Sequence, residues 1–254
     1  MLGKLVSPFI LVAVVGSVVS INADGRTARS KLTAAEIIQK NAVARGGYEA
    51  WRAVRTMSMA GKLEAGGTQN IELPFVLELK RPRRTRLELQ FNGQTAVQVY
   101  DGINGWKLRP FLNRHEVEPF TAEEMNAASM QADLDGPLMD YEAKGTKVEL
   151  DGIQVLEGHD AYNLKLILKR GQTQHVWVDA GTFLEVKVQG TPRRLDGKYH
   201  PAGVYLRDYR PEQGLMIAHE IETVVEGAKR TEKIRIERVV VNPKLEDSRF
   251  AKPQ

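Results

Sequence analysis

The sequence predicts a mainly β chain with a few helices (α+β), folded as an open antiparallel sheet under a removable helical cover. Three observations predict it. Between 71 and 111, four consecutive runs alternate apolar and polar side chains, so each strand carries one greasy face. Turns such as Asn92-Gly93, Asp151-Gly152 and Ala180-Gly181 are so short that most neighbouring runs must pair as antiparallel hairpins. A methionine-rich helical pattern then breaks the series from Thr121 to Tyr141. A greasy sheet face needs a covering layer, and the few helical segments leave an interior between themselves and so many strands.

In chain order, Met1 to Ala23 holds a single charged side chain, Lys4, then an almost wholly apolar run ending in small residues. This predicts a cleavable secretory signal over 1–23 and one domain over 24–254, with no linker composition to divide it. The uncharged stretch Leu5 to Asn22 is 18 residues, long enough that an uncleaved inner-membrane anchor is the alternative. Thr33 and Glu36 form a capping-box pattern and Leu32 can staple onto Ile37, which starts a helix presenting Ile37, Ile38 and Val43. Gly46-Gly47 ends it, and a turn from Tyr48 to Val54 brings Trp51 to the core. Strand patterns follow at 55–64, 71–80, 84–91, 95–101 and 105–111. Thr121 and Glu124 repeat the capping box, and Met125, Met130, Leu134, Leu138 and Met139 follow, with Gly136-Pro137 dividing the segment into two short helices. Strand patterns resume at 146–157, 161–169, 173–179, 182–190, 203–210, 215–226 and 231–241.

Composition bounds the chemistry. With 254 residues, 42% hydrophobic and 27% charged, the chain is an ordinary globular protein. It has no cysteine, which removes disulfides, thiolate metal sites, thiol catalysis and N-terminal lipid attachment together. Without Lys4 the count is 35 basic against 32 acidic residues, a net charge of +3, too small for general polyanion binding. His115, His159, His175, His200 and His219 lie in no metal-ligand spacing, and Glu157 with His159 reads as a surface pair. There is no nucleophile elbow, phosphate-binding loop or dinucleotide fingerprint. The expectation is therefore no catalytic residue, no metal and no cofactor.

The basic run Lys80 to Arg86 lacks the interleaved aromatics of a nucleic-acid surface, and no nucleic acid is expected. Arg83 and Arg84 read as a solvated hairpin tip. Arg81 differs, because its parity aligns it with Phe75, Leu77 and Leu79 at the end of an apolar face, where a guanidinium needs partners. Either it reaches water at the strand end, or it meets helix-end carbonyls or Asp133, Asp135 or Asp140 and latches the cover. The interior that such a cover would enclose is read as a binding cavity lined by Phe75, Leu77, Leu79, Leu87, Leu89, Phe91, Val97, Val99, Trp106, Met125, Met130 and Leu134.

The run Phe75-Val76-Leu77-Glu78-Leu79-Lys80-Arg81-Pro82, then Arg86 with Glu88, then Asp101-Gly102 followed by Trp106, resembles the LolA/LolB-like outer-membrane lipoprotein-sorting proteins, periplasmic carriers of acylated proteins. Asp247-Ser248-Arg249-Phe250 is similar to that family's closing segment. The resemblance implies an unclosed antiparallel β-barrel of about 11–12 strands, with a helical lid inserted after the fifth. It also implies acyl chains inside and Arg81 as the residue that holds the lid shut. It further implies a monomeric, non-enzymatic periplasmic carrier or binder of lipids or lipoprotein acyl chains. Its partners would be an inner-membrane lipoprotein-releasing transporter and an outer-membrane acceptor. The alternative is an envelope stress sensor or interaction module of the same fold that recognises lipid or mislocalised lipoprotein without moving it.

Overall fold

The computed structural model describes residues 32–64, 71–169 and 171–254, without the side chains of Met130 and Gln131. The expected signal segment 1–23 lies outside the described residues.

All strands belong to one 13-stranded sheet built as two antiparallel meanders. The first comprises β1 (Thr56–Glu64), β2 (Glu72–Lys80), β3 (Arg84–Phe91), β4 (Gln94–Tyr100), β5 (Gly105–Arg109) and β6 (Arg114–Pro119). The second comprises β7 (Lys147–Leu156), β8 (His159–Ile167), β9 (Thr173–Asp179), β10 (Glu185–Leu195), β11 (Lys198–Glu212), β12 (Leu215–Val225) and β13 (Glu232–Val241). They join side by side where β1 pairs with β13, which leaves β6 and β7 as the two free edges. The result is a barrel that does not close. Between those edges the chain runs through helix α3 (Ala122–Gln131) and the turns that follow it.

The helical insertion follows the sixth strand, not the fifth. β6 escapes pattern reading because Arg-His-Glu-Val-Glu-Pro has one apolar interior position and no alternation. The expected second helix after Gly136-Pro137 is absent. Gly136, Asp140 and Gly145 take positive φ (77°, 49° and 74°), so residues 132–145 run as consecutive turns, which no α-helix tolerates.

Both capping boxes form. The Glu36 amide donates to Thr33 Oγ1 (3.3 Å) and the Glu124 amide to Thr121 Oγ1 (3.2 Å), and each glutamate accepts back from its N-cap amide. Helix α1 (Ala34–Ala44) buries Ile37, Ile38 and Ala42, whereas Val43 faces solvent, 66% exposed. Helix α2 (Tyr48–Ala53) buries Trp51, whose Nε1 donates to the Arg45 carbonyl at 2.9 Å. β10 and β11 reach well past their expected limits, because the charged, Pro-containing segment Thr191–Pro201 pairs as a ribbon.

Candidate functional site

Alternation along β2 and β3 sends Leu73, Phe75, Leu77 and Leu79, then Leu87, Leu89 and Phe91, to one face, where cross-strand pairing sets Leu77 against Leu87 and Phe75 against Leu89. These side chains form one cluster with Met57, Ile217, Ile236 and Val239 from the neighbouring strands. Trp51 and Val54 from the α2 end cover it, together with Leu134 and Met139 from the turns after α3. The expected residues Phe75, Leu77, Leu79, Leu87, Leu89, Phe91 and Leu134 are thus brought together. Met125 is half-buried on α3 and joins none of the buried clusters, and the Met130 side chain lies outside the described residues.

Val97, Val99 and Trp106 are placed on the other face of the sheet, which corrects the expectation that they line the interior. The two-residue turn Asn92-Gly93 sets Phe91 opposite Gln94 and Leu89 opposite Ala96, so the even-numbered positions of β4 continue the inner face. Val97 and Val99 pair with Leu108 and Trp106 on the outside, where Phe250 packs on them at 1% exposure.

Three lid carboxylates meet three arginines. Arg81 Nη2 reaches Asp135 Oδ2 at 2.8 Å, while its Nε donates to the Val54 carbonyl (2.8 Å) and Nη2 also to the Trp51 carbonyl (3.1 Å). Arg52 grips Asp140 through two donors at 2.6 and 3.0 Å. Arg83 meets Asp133 at 3.2 Å and donates to the Ser129 carbonyl at the end of α3. Asp135 lies at the centre. Its carboxylate is 4% exposed and also accepts from Lys144 (2.6 Å), and its carbonyl accepts from Arg45 Nη1 (2.9 Å). Arg45 in turn stacks over Trp51, 4.4 Å from the ring centroid. A further buried pair, Lys107 with Glu124, ties α3 to the inner face of β5.

Burial works to raise the Asp135 carboxyl, but Lys144 and Arg81 outweigh it and hold it below the ordinary range. The hydrogen bond from Arg52 holds Asp140 low as well, against a smaller desolvation effect. Asp135 and Asp140 are therefore charged at neutral pH. Burying such pairs adds little net stability, because leaving water costs nearly what the attraction returns, while removing one partner strands the other.

Arg45, Arg52 and Lys107 escape sequence reading because their partners lie in other elements, and Lys144 because the turns that bring it onto Asp135 carry no periodic pattern. Nor is the 80–86 tip merely solvated. Lys80 and Arg84 meet Asp247 (2.7 and 2.8 Å), Arg86 donates to the Arg249 carbonyl (3.0 Å), and Arg249 pairs with Glu78 and Glu88. The hairpin therefore holds the cover with Arg81 and Arg83, and the C-terminal segment with Lys80, Arg84 and Arg86. Among the described residues no group of three or more His, Asp or Glu side chains is arranged to hold a metal ion, and Glu157 pairs with Arg207.

No protein-family model and no curated protein matches the sequence. Solved structures do match. A LolA superfamily protein from Nitrosomonas europaea aligns with a TM-score of 0.57 at 13% identity, over 87% of this chain and 98% of its own. A putative outer membrane lipoprotein-sorting protein domain from Vibrio parahaemolyticus gives 0.57 and 13% over 85% and 95%. A DUF1329 family protein from Desulfovibrio piger gives 0.56 and 13% over 85% and 96%. The likeness is one of fold.

Proposed function

We propose that this chain, which has the fold of LolA superfamily and lipoprotein-sorting structures, binds lipid or lipoprotein acyl chains in the apolar interior beneath its latched cover. It would act as a non-enzymatic periplasmic carrier. The observation that carries the reading is the pairing of Asp133, Asp135 and Asp140 with Arg83, Arg81 and Arg52 at the hairpin end of the inner face that Phe75, Leu77, Leu87 and Leu89 build. An ordinary core is sealed by apolar contact alone, whereas here ion pairs that water can replace are added to the contacts of Leu134 and Met139. Each buried methylene contributes about 0.8 kcal/mol, so acyl chains in a permanently open greasy pocket would hardly leave. A cover that closes on itself when empty competes with the ligand and brings net affinity down to what an acceptor can overcome. Loading by an inner-membrane lipoprotein-releasing transporter and delivery to an outer-membrane acceptor complete the proposed cycle.

The test is titration of delipidated protein with a fluorescent fatty-acid probe. Wild type binds at micromolar levels, and Arg81→Leu, with the cover unlatched, binds roughly tenfold tighter, about 1.4 kcal/mol. If neither protein binds at micromolar levels, the acyl-binding reading is wrong. Native mass spectrometry of protein purified from its own envelope identifies the cargo by mass.

A further inference from the structure

The second meander carries a projection that the covered interior does not use. β9 pairs with β10 only as far as Val188, and β12 pairs with β11 only from Ala202 onward, so the pairs Arg193–His200, Arg194–Tyr199 and Leu195–Lys198 lie beyond both neighbours. This two-stranded ribbon turns at Asp196-Gly197, both at positive φ (50° and 82°), and its arms of five and four residues, 191–195 and 198–201, extend it by about 13 Å. Its root is stiffened on the outer face, where Lys187 Nζ lies 4.7 Å from the Trp177 ring and 5.1 Å from Tyr205, directly across the pair Lys187–Tyr205. The neighbouring β12–β13 turn braces it: the Glu226 amide donates to the Pro201 carbonyl at 2.9 Å, and Arg193 reaches Glu232 at 3.7 Å.

Ribbon and turn, with Glu232 where the turn enters β13, carry Arg193, Arg194, Lys198, Lys229 and Arg230 against Asp196, Glu226 and Glu232, five basic side chains to three acidic and a net +2. Tyr199 stands among them, 55% exposed and paired across the ribbon with Arg194, so the two share a face. An exposed phenol flanked by cations suits the headgroup layer of a bilayer, where the ring sits among the acyl ends and the hydroxyl stays wet. The same end of the barrel bears the half-buried aromatic pair Phe91 and Phe111, 5.8 Å between centroids and opposite the latch.

We infer that the β10–β11 ribbon and the β12–β13 turn form a docking element for an anionic membrane surface. The inference goes beyond acyl binding and does not require it.

The experiment is vesicle co-sedimentation of the full chain, read as excess binding to vesicles of phosphatidylcholine with 30% phosphatidylglycerol over pure phosphatidylcholine. Wild type shows the excess, and raising salt from 50 to 500 mM abolishes it. Each basic side chain near such a surface contributes roughly fivefold, so Arg194→Glu with Lys198→Glu lowers the excess roughly 20-fold or more. Tyr199→Ala lowers it severalfold at unchanged charge. Circular dichroism and fatty-acid probe affinity stay at wild-type values in both variants, which keeps this test separate from the acyl-binding one. The inference is overturned if wild type shows no excess or a salt-independent one, or if the charge-reversed variant keeps it. An effect of the charges without one of Tyr199→Ala overturns the part given to the phenol.

Discussion

The interior under β2 and β3 and the interior under β8 and β9 are covered in opposite ways. Leu164, Leu166, Val176 and Val178 are all 0% exposed beneath Ile37, Ile38 and Leu138, a dry contact of α1 on the sheet. Phe75, Leu79 and Leu89 retain 6, 9 and 5% exposure, and Leu77, Leu87 and Phe91 are only half-buried, beneath a segment that adds ion pairs to the apolar contacts of Leu134 and Met139. The difference teaches which half would open first if the cover moves as proposed. Apolar contact is lost in full when water enters, whereas an ion pair trades one set of partners for another.

The strongest challenge to that contrast is Leu166→Ala, which leaves a cavity in the sealed half and costs about 3 kcal/mol. Thermal melting would fall by roughly 6–12 °C for a chain of this size, with probe affinity unchanged. The companion change Leu77→Ala should do the reverse: about 1 kcal/mol of stability or less, with a severalfold loss of probe affinity. Equal melting shifts in the two variants would erase the distinction between the halves.

Next in size is Asp135→Ala, which strands Arg81 and Lys144 and costs about 2 kcal/mol, less than a fully buried pair because both cations are partly wet. Hydrogen exchange should rise across 132–145 and stay as it is in β8 and β9. Acid sharpens the comparison further. Asp135 and Asp140 are held low, so their contribution is fully present above the unfolded carboxylate pKa of about 3.9 and is lost as pH falls through the lower folded values. Exchange in the cover, corrected for its intrinsic rate, should therefore be flat from pH 8 to 5 and rise only below about 4.

The smallest effect belongs to the sealed half. Burial, with a lesser push from Lys165, keeps His175 neutral against the pull of Asp151, so its folded pKa lies below the ordinary value. Stability carried by the neutral ring, whose Nδ1 lies 2.8 Å from Asn163 Oδ1, is present above about pH 6.5 and lost as pH falls through the depressed value. Denaturant unfolding at pH 7 and pH 5 should show a small loss that His175→Gln removes.

Alternation made most strands legible, and both helix starts follow from Thr33–Glu36 and Thr121–Glu124, because these signals are local. Arg81 was legible too, since parity alone set a charge at the end of a greasy face; it meets Asp135, one of three aspartates within its expected reach. Wherever position depends on pairing rather than on the strand itself, the reading failed. Val97 and Val99 alternate correctly, but the turn at Asn92-Gly93 decides which face they take. β6 and the Thr191–Pro201 ribbon are polar strands whose hydrogen bonds, not burial, make them strands. Arg45, Arg52 and Lys107 find their carboxylates only once the barrel has curled, so no spacing in the chain announces them.

The hairpin after β2 serves two clients. Lys80, Arg84 and Arg86 hold the tail outside while Arg81 and Arg83 hold the cover inside, and seven consecutive positions connect them. Asp247→Ala, which frees Lys80 and Arg84 outside, is therefore expected to loosen the grip of Arg81 and Arg83 across the sheet, a coupling between two surfaces that share no direct contact.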